Sequence, residues 1–118
     1  MNRRRTFKQG DIIMMNFNPT KGHEQNGYRP ALVVSNDDFN VMCGGVIKVA
    51  AITSNDKEFP LHIEIPAGLP VYGKVELDHE RSIDSQSADR ECEYVCSVPS
   101  EFLDEILQKL DLTYKKSH

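Results

Sequence analysis

Arg29 stands at the end of a polar, glycine-punctuated stretch, residues 18–28, that also carries His23, Glu24 and Gln25. Pro30 follows it, and a later apolar run ends in the hydroxyl pair Thr53 and Ser54. A guanidinium offers phosphate oxygens a planar fork of donors and stays charged at any working pH. A hydroxyl at a strand end can donate to the same oxygens. Histidine, with an unperturbed pKa of about 6.5, carries protons at neutral pH. A carboxylate can act as base or orient an arginine. Cutting RNA without a metal needs these functions: a base for the 2′-hydroxyl, an acid for the leaving 5′-oxygen, and fixed donors for the non-bridging oxygens. Each residue also has a plainer reading. Arg29 could be a surface arginine or brace the loop through Glu24, Thr53 could be an ordinary strand-end threonine, and His23 an exposed loop histidine.

These groups need rigid elements to hold them, and the chain reads as many short strands. Residues 12–17 are rich in β-formers and methionine and predict a strand. Asn-Pro, Lys-Gly and Asn-Gly mark residues 18–28 as a loop. Pro30 opens a second strand over 31–35, where its missing N–H does least harm. Residues 36–40 read as a turn or one helical turn, and 46–52 as a strand buried on both faces. Segments 61–65 and 71–77 alternate apolar and polar side chains, 78–90 reads as polar and irregular, and 93–98 as a short strand. Leu103, Ile106, Leu107 and Leu110 recur at i, i+3, i+4, i+7 and predict an amphipathic helix over 99–112, capped by Ser97 or Ser100. Residues 1–7 and 113–118 are expected to fray. This pattern is mainly β and predicts a small antiparallel barrel covered by one helix.

At 118 residues the chain predicts a single domain. The net charge of -4 is unfavourable for a nucleic-acid binder in bulk, but Arg3, Arg4, Arg5 and Lys8 make a basic start and most acids follow residue 55. The alternative for that start is a solvated tail. No apolar run approaches a membrane span and no apolar stretch follows the basic start, so a cytoplasmic protein is expected. The three cysteines, Cys43, Cys92 and Cys96, have no framework spacing. Cys92 and Cys96 are expected to share a face, but no second ligand pair accompanies them, and buried or idle thiols are the better reading than zinc.

From about residue 8 to residue 112 the chain resembles the MazF/PemK family of toxin endoribonucleases. The motifs that carry the resemblance are Gly-Asp-Ile-Ile at 10–13, the Gly-His-Glu-Gln-Asn-Gly-Tyr-Arg-Pro loop, the Thr53–Ser54 pair, and Asp-His-Glu-Arg-Ser at 78–82. The resemblance implies an SH3-like barrel with a C-terminal helix, a homodimer, no cofactor, and inhibition by an antitoxin. It implies metal-independent, sequence-specific cleavage of single-stranded RNA, leaving 2′,3′-cyclic phosphate and 5′-hydroxyl ends. It makes Arg29, Thr53, Glu24 and His23 catalytic, and places Ser54, Gln25, Asp78 and Arg81 at the RNA site; Tyr28 is read as an RNA contact from its place in the loop, and His79 as an RNA contact or proton carrier with a structural role as the plainer reading. The chain departs from the family at two places. His79 replaces a glutamine, and Glu76 stands where some relatives carry a catalytic arginine. Phe17 and Phe39 are better read as core than as stacking surfaces. Two rivals remain: a barrel that only binds RNA or protein, and a gyrase-poisoning relative. The latter group depends on a Trp-Gly-Ile ending, and this chain has no tryptophan.

Overall fold

The computed structural model of the chain describes residues 6–17 and 27–117. Its elements are β1 (Asp11–Asn16), β2 (Tyr28–Val33), α1 (Asp37–Met42), β3 (Val46–Thr53), β4 (His62–Glu64), β5 (Lys74–Asp84), β6 (Glu93–Ser97) and α2 (Ser100–Leu112). The strands form one antiparallel sheet in the order β4-β5-β3-β2-β1-β6. Ile63 of β4 and Val95 of β6 join the same apolar cluster although they sit at opposite ends of the sheet. In a flat sheet five strand spacings would separate them by roughly 24 Å. The sheet therefore curls into a half-barrel, the mainly β architecture expected of an SH3-like barrel.

Alternation along the strands supplies two cores. Ile12, Leu32, Ala50, Ile52, Val75 and Leu77 face α2, which adds Phe102, Ile106 and Leu110. Ile13, Met15, Ala31, Val33, Ile47, Val49 and Ile83 face the other way, around the buried Phe7. The stripe that α2 buries most deeply is thus i, i+4, i+8, with Leu103 and Leu107 half-buried at its margin. Neither expected serine caps α2. Pro99 occupies the N-cap position without a side-chain bond, while Ser97 Oγ donates to Asp11 Oδ1 at 3.1 Å. At the other end Tyr114 donates its hydroxyl to the Glu80 carboxylate.

Three sequence expectations give way to pairing. Residues 78–84 are not irregular but continue β5, whose residues 80–84 pair with Val46, Ile47, Lys48, Val49 and Ala50 of the central strand. Their polar side chains lie on the outer surface, which masks a strand whose inward residue is Ile83. Pro30 lies inside β2 rather than before it. Cys92 and Cys96 do not share a face: the ladder steps from Ile12↔Cys96 to Ile13↔Tyr94, and this bulge places Cys96 on the helix-side core and Cys92 on the other. Burial pushes the Cys92 thiol up to about 11, which suits an idle side chain. Among the described residues no helix is long and apolar enough to cross a membrane.

One backbone approach fixes the end of β3. Gly73 has φ +129, and a Cβ there would lie 2.4 Å from the carbonyl oxygen of Thr53. Gly68 has φ +99 but open space around it. Gly73→Ala should therefore cost about 3 kcal/mol or more in urea denaturation, and Gly68→Ala about 1 kcal/mol. Equal losses would show that the approach to Thr53 contributes nothing.

Candidate active site

The register of β2 explains how Arg29 is held. Phe17 N donates to Gly27 O at 2.9 Å, so alternate pairs down the β1–β2 hairpin are hydrogen-bonded and the Met14–Pro30 pair is not. Proline therefore costs no bond on the β1 side. On the β3 side Val34 N donates to Lys48 O at 2.9 Å, which makes residues 32 and 50, then 30 and 52, the next bonded pairs. Residue 30 is proline and has no N–H to give. The β2–β3 ladder stops at Ala31↔Ala51, and the Ile52 carbonyl instead accepts from Arg29 Nη2 at 3.3 Å.

On its other side β3 loses register with β5. Ala50 pairs with Glu80 but Ile52 pairs with Val75, so Ala51 alone faces residues 76–79. At this corner β5 turns toward β4, where Glu76 pairs with His62. The bend brings the Glu76 carboxylate to 3.6 Å from Arg29 Nη2. Phe17 gives the third support, its ring centroid 5.6 Å from the guanidinium carbon.

The splayed strands leave a pocket of about 430 Å³ lined by Tyr28, Arg29, Pro30, Ile52, Thr53, Ser54 and Tyr72. Thus Arg29, Thr53, Ser54 and Tyr28 come together as expected. Thr53 Oγ1 accepts from Asn55 N at 3.1 Å, which leaves its own proton to donate. Tyr28 is 47 % exposed, and its hydroxyl donates to Glu93 at 3.1 Å. His23, Glu24 and Gln25 lie outside the described residues, but Phe17 and Gly27, which flank that stretch, are bonded to each other beside Arg29.

A neighbouring pocket of about 250 Å³ holds Asp78 and His79 together with Asn55, Phe59, His62 and Glu76. His62 Nε2 lies 3.1 Å from Asp78 Oδ1 and 3.8 Å from Glu76 Oε2, and His79 Nε2 lies 3.4 Å from Asp78 Oδ2. A line of alternating groups thus runs Arg29, Glu76, His62, Asp78, His79. The Nδ1 atom of His62 is buried and has no hydrogen-bond partner among the described residues. Sequence reading missed His62, because its place depends on the β4–β5 register. Arg81 stands apart from this pocket, its guanidinium carbon 5.8 Å from the Phe17 ring centroid. Phe17 and Phe39 are only half-buried, and each meets a cation: Lys48 Nζ lies 5.3 Å from the Phe39 centroid.

The model of PemK-like, MazF-like toxins of type II toxin–antitoxin systems matches residues 8–114. The chain is 36% identical to endoribonuclease MazF9 of Mycobacterium tuberculosis, covering 90% of this chain and 98% of that one. It is 32% identical to endoribonuclease EndoA of Bacillus subtilis, over 90% and 92%. The crystal structure of MazF from Deinococcus radiodurans superposes with a TM-score of 0.78 at 36% identity, covering 92% and 96%. A MazE–MazF structure from the same organism gives 0.77 at 31% identity, covering 96% and 99%. With a family match over nearly its whole length, the half-barrel and its Arg29 pocket place this chain among the PemK-like, MazF-like toxins of type II toxin–antitoxin systems.

Proposed function

We propose that this chain, an endoribonuclease toxin of the MazF type, cuts single-stranded RNA at specific sequences without a metal. The attacking group is the 2′-hydroxyl, and the products carry 2′,3′-cyclic phosphate and 5′-hydroxyl ends. The observation that carries this reading is the placement of Arg29 and Thr53 in one pocket, with Arg29 anchored at 3.3 Å to a backbone carbonyl. A guanidinium held in advance stabilises charge on the non-bridging oxygens without reorganising as it develops. The Thr53 hydroxyl adds a second donor in that pocket. His23 and Glu24 serve as proton carriers from the adjoining loop, with Gln25 as an RNA contact. Tyr28 offers a face for a base, and Ser54, Asp78, His79 and Arg81 contact the strand. The likeness to a MazE–MazF complex supports a cognate antitoxin as partner, and the family resemblance supports a homodimer in the cytoplasm.

Wild type should cleave a long single-stranded RNA at a few discrete sites in excess EDTA. Arg29→Ala should lower kcat/KM roughly a hundredfold or more. Arg29→Lys, which keeps the charge and loses the fork, should fall between the two. The new 5′ ends should accept phosphate from a polynucleotide kinase without prior dephosphorylation. Complete loss of cleavage in EDTA would sink the metal-free reading.

Pro30→Ala isolates the anchoring of Arg29. The variant gains an N–H aimed at Ile52 O and completes the ladder, so Arg29 loses its carbonyl. Stability should fall by about 1 kcal/mol, because the new backbone hydrogen bond only replaces the Arg29 bond to the same carbonyl while the unfolded chain becomes more flexible. We expect kcat to fall about tenfold, equivalent to about 1.4 kcal/mol. Hydrogen exchange should report a protected amide at position 30. A protected amide with unchanged kcat would show that the carbonyl anchor is dispensable.

A further inference from the structure

A second group of cations adjoins the pocket. Arg81 comes from β5 and Arg90 from a 3₁₀ turn, Ala88–Arg90. Arg81 Nη1 donates to Phe17 O at 3.2 Å. Arg90 Nη1 donates to Asn16 O at 3.0 Å and to Phe17 O at 2.9 Å. Both arginines therefore gather at the C-terminal end of β1 and meet at one carbonyl oxygen.

Among the described residues, no carboxylate lies within ion-pair distance of either guanidinium. Burial first, and then the charge of Arg90, push Arg81 below the ordinary arginine value. Two like charges held together by neutral carbonyls are unfavourable unless an anion joins them. The carbonyl bonds use only one nitrogen of each side chain, and a guanidinium has five N–H donors. The others remain for a ligand: Arg81 is exposed and Arg90 half-exposed.

The cluster is continuous with Arg29. The guanidinium carbons of Arg29 and Arg81 lie 5.6 and 5.8 Å from the centroid of the same Phe17 ring. Guanidinium planes match phosphate oxygens two at a time. We infer that Arg81 and Arg90 form a second phosphate subsite, which takes a non-scissile phosphate of the same RNA strand that Arg29 holds at the cleaved linkage. The inference rests on the reading of Arg29 as a phosphate ligand. An RNA strand fits better than an acidic peptide because the occupant must continue from the Arg29 pocket across one shared ring.

The test is binding of a 2′-O-methyl RNA, which lacks the attacking hydroxyl, followed by fluorescence anisotropy across a salt series. Arg81→Met and Arg90→Met keep the aliphatic length and remove the charge. Each should weaken binding about tenfold and reduce the slope of log Kd against log salt by about 0.7, the increment for one phosphate on a single strand. Arg90→Lys should keep the wild-type slope. Should either methionine variant melt early, the wild-type protein decides: the Nε–Hε signals of Arg81 and Arg90 in ¹⁵N NMR should shift when that RNA is added. An unchanged slope in folded variants, or unmoved signals, overturns the subsite while leaving cleavage by wild type intact. Loss of poly-glutamate binding with full retention of RNA binding also overturns it, in favour of an acidic peptide. Wild type that neither cleaves RNA nor binds it with a salt slope removes the Arg29 reading itself.

Discussion

The Ile52 carbonyl is the group on which the arrangement of the site turns. It lies on the central strand, at the position where an ordinary residue 30 would donate to it, and residue 30 is proline. A buried carbonyl left without a donor costs about 1–3 kcal/mol, whereas a hydrogen bond from a charged donor contributes about 1.5–3 kcal/mol. Arg29 Nη2 fills this role at 3.3 Å. One missing N–H thus ends a ladder, parts two strands, opens a pocket between them and anchors a cation at its wall. The shift of β5 opposite Ala51 completes the opening and turns Glu76 toward the same guanidinium.

The electrostatics of Arg29 are set by partners of different firmness. Its bond to Ile52 O is a hydrogen bond, but the 3.6 Å contact with Glu76 exceeds the roughly 2.7–2.9 Å of a charge-assisted one. The Glu76 side chain is 14 % exposed, so the pair is not fully screened. Glu76 is also within reach of His62, which gives its charge an alternative neighbour at 3.8 Å. A phosphate arriving at Arg29 can therefore displace the looser partner while the backbone carbonyl keeps the side chain in place.

Much of this was legible in residue order, and the gaps have specific causes. Runs of β-formers and apolar residues marked β1 and β3, and alternation marked β4 and the start of β5, because one or both faces are buried in apolar contacts. It failed over residues 78–84, where pairing with the central strand outweighs a polar composition. The parity of Cys92 and Cys96 was unreadable because a bulge opposite Ile12 and Ile13 leaves no local signature. In the site, the loop motif singled out Arg29, and the apolar run ending in Thr53 led to the neighbouring strand of the same pocket. His62 and Arg90 carried no signal. Each acts through register or through a turn that joins distant segments, and neither spacing nor composition encodes that.

Net charge misled in the bulk and informs locally. The chain carries -4, yet Arg29, Arg81 and Arg90 gather around Phe17 and its carbonyl, while Glu76 and Asp78 gather with His62 and His79 in the adjoining pocket. Arg29 touches both groups. A polyanion lying along the surface at Arg29 is attracted where the arginines cluster and repelled where the carboxylates do. At a Debye length of about 8 Å such neighbouring fields remain distinct. On the proposed reading, this asymmetry steers phosphates toward the arginines and leaves Asp78 and His79 to meet the bases. A net charge of -4 is therefore compatible with the proposed RNA binding, because the cations are concentrated around Phe17 rather than spread over the surface.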